Sequence, residues 1–279
     1  MRKIIISGLL FLTTLSLSAQ RSEVGVFLGT SSYIGDLNPT KLFAAPQFGG
    51  GIIYRYNFNA RWAFKTNILF ASVEASDWSN NENYERNLSF RSPITEISAE
   101  VELNFFNIYN ERGTNRFTPY IFSGFTIFSF NPQAEYKGKY YDLQHLGTEG
   151  QGLDGQPDYY SLTSCAIPFG IGFKLNIGRY ISFGIEAGMR YTFTDYLDDV
   201  SKTYYDNEIL LAERGEIVAA LADRSAEKHQ AGTGRGNVTT KDLYTFCGAM
   251  LTVKFGNEDK SCDLKKKRIK HKYKRPAKR

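Results

Sequence analysis

Large apolar residues occupy every second position from Ile167 to Ile177: Ile167, Phe169, Ile171, Phe173, Leu175 and Ile177. Ala166, Pro168, Gly170, Gly172, Lys174 and Asn176 fill the positions between. A period of two sends the two sets to opposite faces of a β-strand. These eleven residues match the length a tilted strand needs to cross a bilayer, and a polar side of Gly, Lys and Asn suits a barrel lumen better than a packed soluble core. The same test gives eight candidate strands, at about 22–31, 47–57, 61–74, 92–105, 117–130, 165–177, 179–194 and 243–255. The expected fold is all-β, an eight-stranded antiparallel transmembrane β-barrel.

In the fourth candidate strand Thr95, Ile97, Ala99, Val101, Leu103 and Phe105 alternate with Glu96, Ser98, Glu100, Glu102 and Asn104, so the acidic set must face inward. The seventh puts Ile181, Phe183, Ile185, Ala187, Met189, Tyr191 and Phe193 outward and Ser182, Gly184, Glu186, Gly188, Arg190 and Thr192 inward. Charges taken out of bulk water need partners, and Lys65, Lys174 and Arg190 are the cations available to Glu96, Glu100, Glu102 and Glu186. Connections alternate in length. Long ones run over 32–46, 75–91, 131–164 and 195–242, and shorter ones over 57–60, 106–116 and 178–179. This is the asymmetry of outer-membrane barrels, with short periplasmic turns and long extracellular loops, and an even strand count leaves both termini periplasmic. Side chains just fill an eight-stranded interior, which argues against an open pore. Tyr56, Trp62, Tyr120, Tyr180 and Phe255 are expected in one aromatic belt, and Tyr191, Phe193 and Tyr196 in the other.

Composition agrees with this pattern: 25 Gly, 18 Tyr and 21 Phe stand against 3 Met. Met1-Arg2-Lys3, the apolar stretch Ile4 to Leu17 and the small residues before Gln20 read as a signal peptide, 1–19, cleaved after Ala19 or Ser18. Gln20 stands where a lipoprotein needs Cys. The barrel is then expected over 20–256 and a basic, disordered periplasmic tail over 257–279. Ten of the last fifteen residues are Lys or Arg and two more cations stand at the start, so the rest of the chain is net −7 under a total of +5. Such a block of like charge cannot fold alone. Lys265, Lys266, Lys267, Arg268, Lys270, Lys272, Lys274 and Arg275 are candidate partner-binding residues. In the periplasm their ligands are acidic proteins, peptidoglycan carboxylates or lipid phosphates, not nucleic acid.

Within the last long loop, 208–228 breaks the β pattern and reads as a helix covering one side with Ile209, Leu210, Leu211, Ile217, Val218, Ala220 and Leu221. Gly232-Thr233-Gly234-Arg235-Gly236 lacks the ending of a phosphate loop and reads as a flexible linker. His145, His229 and His271 lie in loops and the tail, none on a strand beside a serine and a carboxylate, which gives no catalytic constellation. Asp195, Asp198 and Asp199 lack the spacing of a known calcium loop and read as a solvated turn. Cys165, Cys247 and Cys262 have no metal-ligand spacing, and Cys247 reads as a small outward-facing residue. No cofactor is expected.

Four segments stand in order on this layout: Ser32-Tyr33-Ile34-Gly35-Asp36-Leu37-Asn38, Thr118-Pro119-Tyr120, Phe130-Asn131-Pro132-Gln133, and Tyr191 to Ser201 with its Asp195, Tyr196, Asp198 and Asp199. Together they resemble the PorG-like, DUF6089-like outer-membrane barrels of the type IX secretion system over about 22–256. The resemblance implies a non-enzymatic subunit embedded in outer-membrane lipid. It associates with the periplasmic ring, formed by a lipoprotein and its partner, and supports protein export and often gliding. Tyr33, Gly35 and Asp36 are then expected to be structural, the glycine allowing a tight loop and the aspartate capping nearby amides. A small porin and a surface adhesin or structural barrel are the rival classes.

Overall fold

The computed structural model describes residues 22–79, 83–107, 116–178 and 180–255. The signal peptide, the basic tail and all eight of its candidate binding cations lie outside the described residues.

Eight long antiparallel strands close on themselves: β1 (Ser22–Ile34), β2 (Gln47–Asn57), β3 (Trp62–Ser76), β4 (Ser89–Asn104), β5 (Phe117–Phe130), β8 (Thr163–Ile177), β9 (Ile181–Thr192) and β10 (Leu243–Phe255). Each pairs with its neighbours in sequence, β5 pairs with β8, and β1 pairs with β10 in register from Ser22↔Phe255 to Ile34↔Leu243. All eight expected strands are present, four of them extended by two or three residues at their long-loop ends and the seventh shorter by two at each end. One pair was not foreseen. The hairpin β6 (Gln133–Tyr136) and β7 (Lys139–Asp142) stands in the third long loop and joins the barrel through Arg91↔Gln133. With four residues to a strand, it is too short for alternation to reveal. No described helix is long and apolar enough to cross a membrane.

The alternation sorts as expected. Ile97, Val101, Ile171 and Ile185 are exposed on the outer face, while Glu96, Glu100, Glu102, Lys65, Lys174 and Arg190 are buried inside. The lumen is layered along its axis. At the short-turn end Arg55 bridges Glu23 and Glu102, both at 2.9 Å, and Lys174 Nζ donates to Glu102 at 2.9 Å. Next, Lys65 lies 2.9 Å from Glu100 and 2.5 Å from Glu186, whose carboxylate also accepts from Tyr120 at 2.7 Å. Further up, Arg190 pairs with Glu96 at 3.0 Å and Tyr244 donates to the same carboxylate at 2.8 Å. Lys65 also lies 4.4 Å above the Phe122 ring and Arg190 4.7 Å from that of Phe246, so aromatic faces complete the cations' surroundings. Gly188 makes room for this: a Cβ there would stand 2.6 Å from Phe122 Cζ and 3.0 Å from Arg190 Nη1. Above the ion pairs, Tyr33, Phe90, Phe128, Phe130 and Phe246 form an apolar plug.

Four expectations are corrected. Tyr120 is buried in the lumen, because its parity on β5 matches Phe122 and not Ile121. Tyr196 is in no outer belt but stacks on Tyr160 at 4.4 Å. The single helix 208–228 is two short ones, α1 (Asn207–Arg214) and α2 (Glu216–Ala222), broken at Gly215 with φ 86° and finished by residue 222. Consequently Leu210, Val218, Ala219, Leu221 and Ala222 are buried, while Ile209, Leu211 and Ile217 are exposed. The 232–236 segment is no flexible linker, because Gly234 bridges Thr203 and the Arg235 guanidinium is buried.

Candidate functional site

The four long connections meet in one buried polar cap over the plug. At its centre Tyr33, on the last turn of β1, places its hydroxyl 2.6 Å from Asp198 Oδ2 and 2.8 Å from Asp242 Oδ1. A phenol has one hydrogen to donate, so it serves only one carboxylate. The second short contact requires the other aspartate to be a carboxylic acid donating to the phenol oxygen. Burial agrees. It pushes Asp198 well above the usual carboxylate range, helped by the charge of Asp242, and it pushes Asp242 up to about 8, helped by Asp195 and Asp36. The outer oxygens of the pair accept backbone hydrogen bonds, Asp198 from Val200 and Asp242 from Leu197, each at 2.9 Å.

Gly35 stands beside this latch, and a Cβ there would collide with the Tyr33 hydroxyl and with Asp242. Its requirement is space. Its φ is not in the left-handed region, which corrects the expected tight-turn role. Asp36 caps across the mouth instead of nearby: its Oδ2 accepts from Asn237 N at 2.9 Å, and its carbonyl accepts from Arg86 at 3.0 Å. Arg86 also pairs with Asp77 at 2.7 Å, which ties in the second loop.

Arg235 forms the other centre. Its guanidinium donates to Glu149 at 3.1 Å, to the Asp199 carbonyl at 2.5 Å and to the Ala222 carbonyl at 3.2 Å. Asp199 takes a left-handed conformation, φ 66°, and accepts from Thr148 at 2.5 Å and Tyr160 at 2.7 Å. Burial raises its carboxyl to about 6 even against the pull of Arg235. Asp195 accepts from Ser201 at 2.7 Å. Asp195, Asp198 and Asp199 are therefore no solvated turn: all three are buried, and each faces a different partner. At the third loop Asn131 donates to Asp142 at 2.8 Å, and the Pro132 carbonyl accepts from Leu143 at 2.8 Å, which fixes the base of the β6–β7 hairpin.

The nine motif residues thus lie in the cap or at its margin, and the structure brings Tyr33, Gly35, Asp36, Asp195, Asp198 and Asp199 together. Asp242, Arg235, Glu149 and Arg86 complete the network and were missed. Charged residues isolated in loops carry no periodic signal. The family match extends over residues 2–212, the description being a domain of unknown function, DUF6089. This chain belongs to the DUF6089 family. Membership of the family by itself assigns no activity.

No curated protein matches. Similar solved barrels include Neisserial surface protein A, at 10% identity over 84% of this chain and 97% of that one, TM-score 0.42. OprG from Pseudomonas aeruginosa is 9% identical over 85% and 95%, TM-score 0.38. Ail, the attachment invasion locus protein of Yersinia pestis, is 14% identical over 84% and 98%, TM-score 0.35. The barrel assignment rests on the closed strand pairing of this chain.

A serine, a histidine and an aspartate also meet beyond α2. Ser225 Oγ lies 3.0 Å from His229 Nδ1, and Asp223 Oδ2 lies 3.2 Å from the same ring nitrogen. A proton relay needs the hydroxyl and the carboxylate on opposite ring nitrogens. Here Ser225 donates directly to Asp223, which also accepts from His229 N at 2.7 Å. The cluster closes a loop. Among the described residues no group of His, Cys, Asp or Glu is arranged to hold a metal ion, and Cys165 and Cys247 are free thiols.

Proposed function

We propose that this protein is a non-enzymatic outer-membrane barrel that serves type IX protein secretion and gliding by anchoring or docking the periplasmic ring. The observation that carries the membrane part is the outer surface. Each of the eight barrel strands presents exposed large apolar residues, such as Val26 on β1, Ile52 on β2, Phe70 on β3, Ile97 on β4, Phe125 on β5, Ile171 on β8, Ile185 on β9 and Leu251 on β10. An apolar belt around a closed barrel needs lipid as its solvent. The long connections at one end support an outward face there, with both termini and the short turns periplasmic. The ring-docking role is supported by the resemblance of the four segments. In it the basic residues 265–279 and the periplasmic turns contact the ring lipoprotein and its partner.

A mild-detergent pull-down of the mature protein, with and without 265–279, tests this role. Ring subunits recovered with the full chain and lost with the truncation are the expected outcome. A barrel recovered alone in several detergents overturns it. The bonded cap with its β6–β7 hairpin supports a second reading, a surface adhesin or structural barrel. Trimming 131–164 or 195–242 would then abolish partner binding while trimming the tail would change nothing. A porin requires a continuous lumen, and the layered ion pairs and aromatic plug argue against one.

A further inference from the structure

Two adjoining cavities of about 610 and 650 Å³ form one groove at the long-loop end, sharing Tyr84, Glu85 and His229. One wall is the β3–β4 connection, residues 77–79 and 83–88, and the other is the stretch from Tyr204 through 224–237. The cap holds the walls together. Arg86 Nη1 donates to the Arg235 carbonyl at 2.5 Å and Arg224 Nη1 donates to Ser89 at 3.1 Å, while within the second wall Tyr204 stacks on His229 at 4.2 Å with parallel planes. The groove is thus preformed, of a size that takes a small organic ligand.

Its lining restricts the chemistry. At the rim Trp78 and Tyr84 pack 5.0 Å apart, and they are 68% and 51% exposed. Neither lies on a barrel strand. Two large rings left open beside a polar groove offer flat apolar faces to a ligand. Around them stand Asn83, Asn87, Asn237, Glu85 and Glu227, which combine amide donors with amide and carboxylate acceptors. Two of the three wall arginines are already neutralised, Arg86 by Asp77 and Arg235 by Glu149 and Asp199, and Arg224 is bonded to Ser89 Oγ and the Glu135 carbonyl. A cation meets the charge of Arg224 in the wall. A ligand with one apolar C–H face and hydroxyls around its edge meets both requirements at once.

We propose that this groove binds a short oligosaccharide, one sugar ring stacked on Trp78 and Tyr84 and neighbouring hydroxyls bonded by the asparagine and glutamate side chains. Nothing in the ring-docking role uses this site.

The chain has two tryptophans, so Trp62→Phe leaves Trp78 as the reporter. The full-length protein is held in an amine-oxide detergent, because a maltoside headgroup would compete. It is titrated with the neutral trisaccharides cellotriose, triacetylchitotriose and maltotriose, and Trp78 emission is followed. A saturable shift with at least one trisaccharide is expected. By calorimetry the preferred sugar should bind about tenfold more weakly to Trp78→Ala in the Trp62-containing chain, the worth of one lost aromatic face. Asn83→Ala with Asn87→Ala should weaken it severalfold. Heat-modifiable electrophoretic mobility verifies that each variant keeps its barrel. Silence toward all three sugars at tens of millimolar overturns the proposal. So does binding unchanged by Trp78→Ala, or an emission shift produced only by lipid vesicles, which would make Trp78 a membrane-interface residue.

Discussion

The lumen and the cap solve the same problem, burying charge, by different means. In the lumen each carboxylate meets a cation on a facing strand, as Glu102 meets Arg55 and Lys174 and Glu96 meets Arg190. In the cap Asp198 and Asp242 meet each other through Tyr33 and share protons, while Arg86 and Arg235 supply positive charge to the surrounding acids. The lumen's charges are compensated by opposite charges on facing strands. The cap's central pair is compensated by a proton and therefore depends on pH. A barrel wall must hold in every condition, whereas the loops at one end can carry a contact that loosens.

Removing a shared lumen carboxylate gives the largest expected break in this comparison. Glu102→Ala leaves Lys174 without its carboxylate and Arg55 with Glu23 alone in a buried interior, and should cost about 3–5 kcal/mol. The check is the temperature at which the folded electrophoretic band converts to the unfolded one. The drop should be large.

The cap should show the opposite behaviour, with a smaller effect on the whole barrel. A carboxyl whose folded-state value is raised binds more protons folded than unfolded, so its stabilisation falls as pH rises. For Asp242 that contribution is complete below the ordinary carboxylate range and is lost as pH rises through about 8. Thermolysin cleavage within 193–242 should therefore accelerate severalfold between about pH 6 and pH 9 while the barrel keeps its mobility. Asp242→Asn keeps an acceptor for Leu197 N and a donor for Tyr33 and should flatten that profile. An equally steep profile in the variant would remove the proton-sharing latch from the account.

The smallest effect belongs to an exposed ion pair of the long-loop end, Lys137 with Glu216 at 3.0 Å, both about 70% exposed. Such pairs contribute little in water. Glu216→Gln should change neither the conversion temperature nor the cleavage profile, which would restrict the cap's stabilisation to its buried network.

Much of the wall was legible in the residues themselves. Alternation on β4 and β9 placed Glu96, Glu100, Glu102, Glu186 and Arg190 inward, and the charges of Lys65 and Lys174 named their partners. Arg55 went unnoticed because the glycines of β2, Gly49 to Gly51, blur the alternation ahead of it. Tyr120 was assigned to the outside because an aromatic near a strand end fits either a belt or a lumen, and only parity along β5 decides.

The sequence by itself determined the eight strands, the face each residue presents, the alternation of long and short connections, and the motif residues Tyr33, Gly35, Asp36, Asp195, Asp198 and Asp199. Side-chain period is a property of the extended backbone and needs no neighbour to be read. Only the tertiary structure decided that α1 and α2 break at Gly215, that Arg235 lies buried between Glu149 and Asp199, and that Asp242 faces Asp198 across one phenol. The last two join residues 36 to 209 positions apart. Closure of the barrel brings the ends of four loops within hydrogen-bond reach, and no local pattern in the chain encodes that proximity.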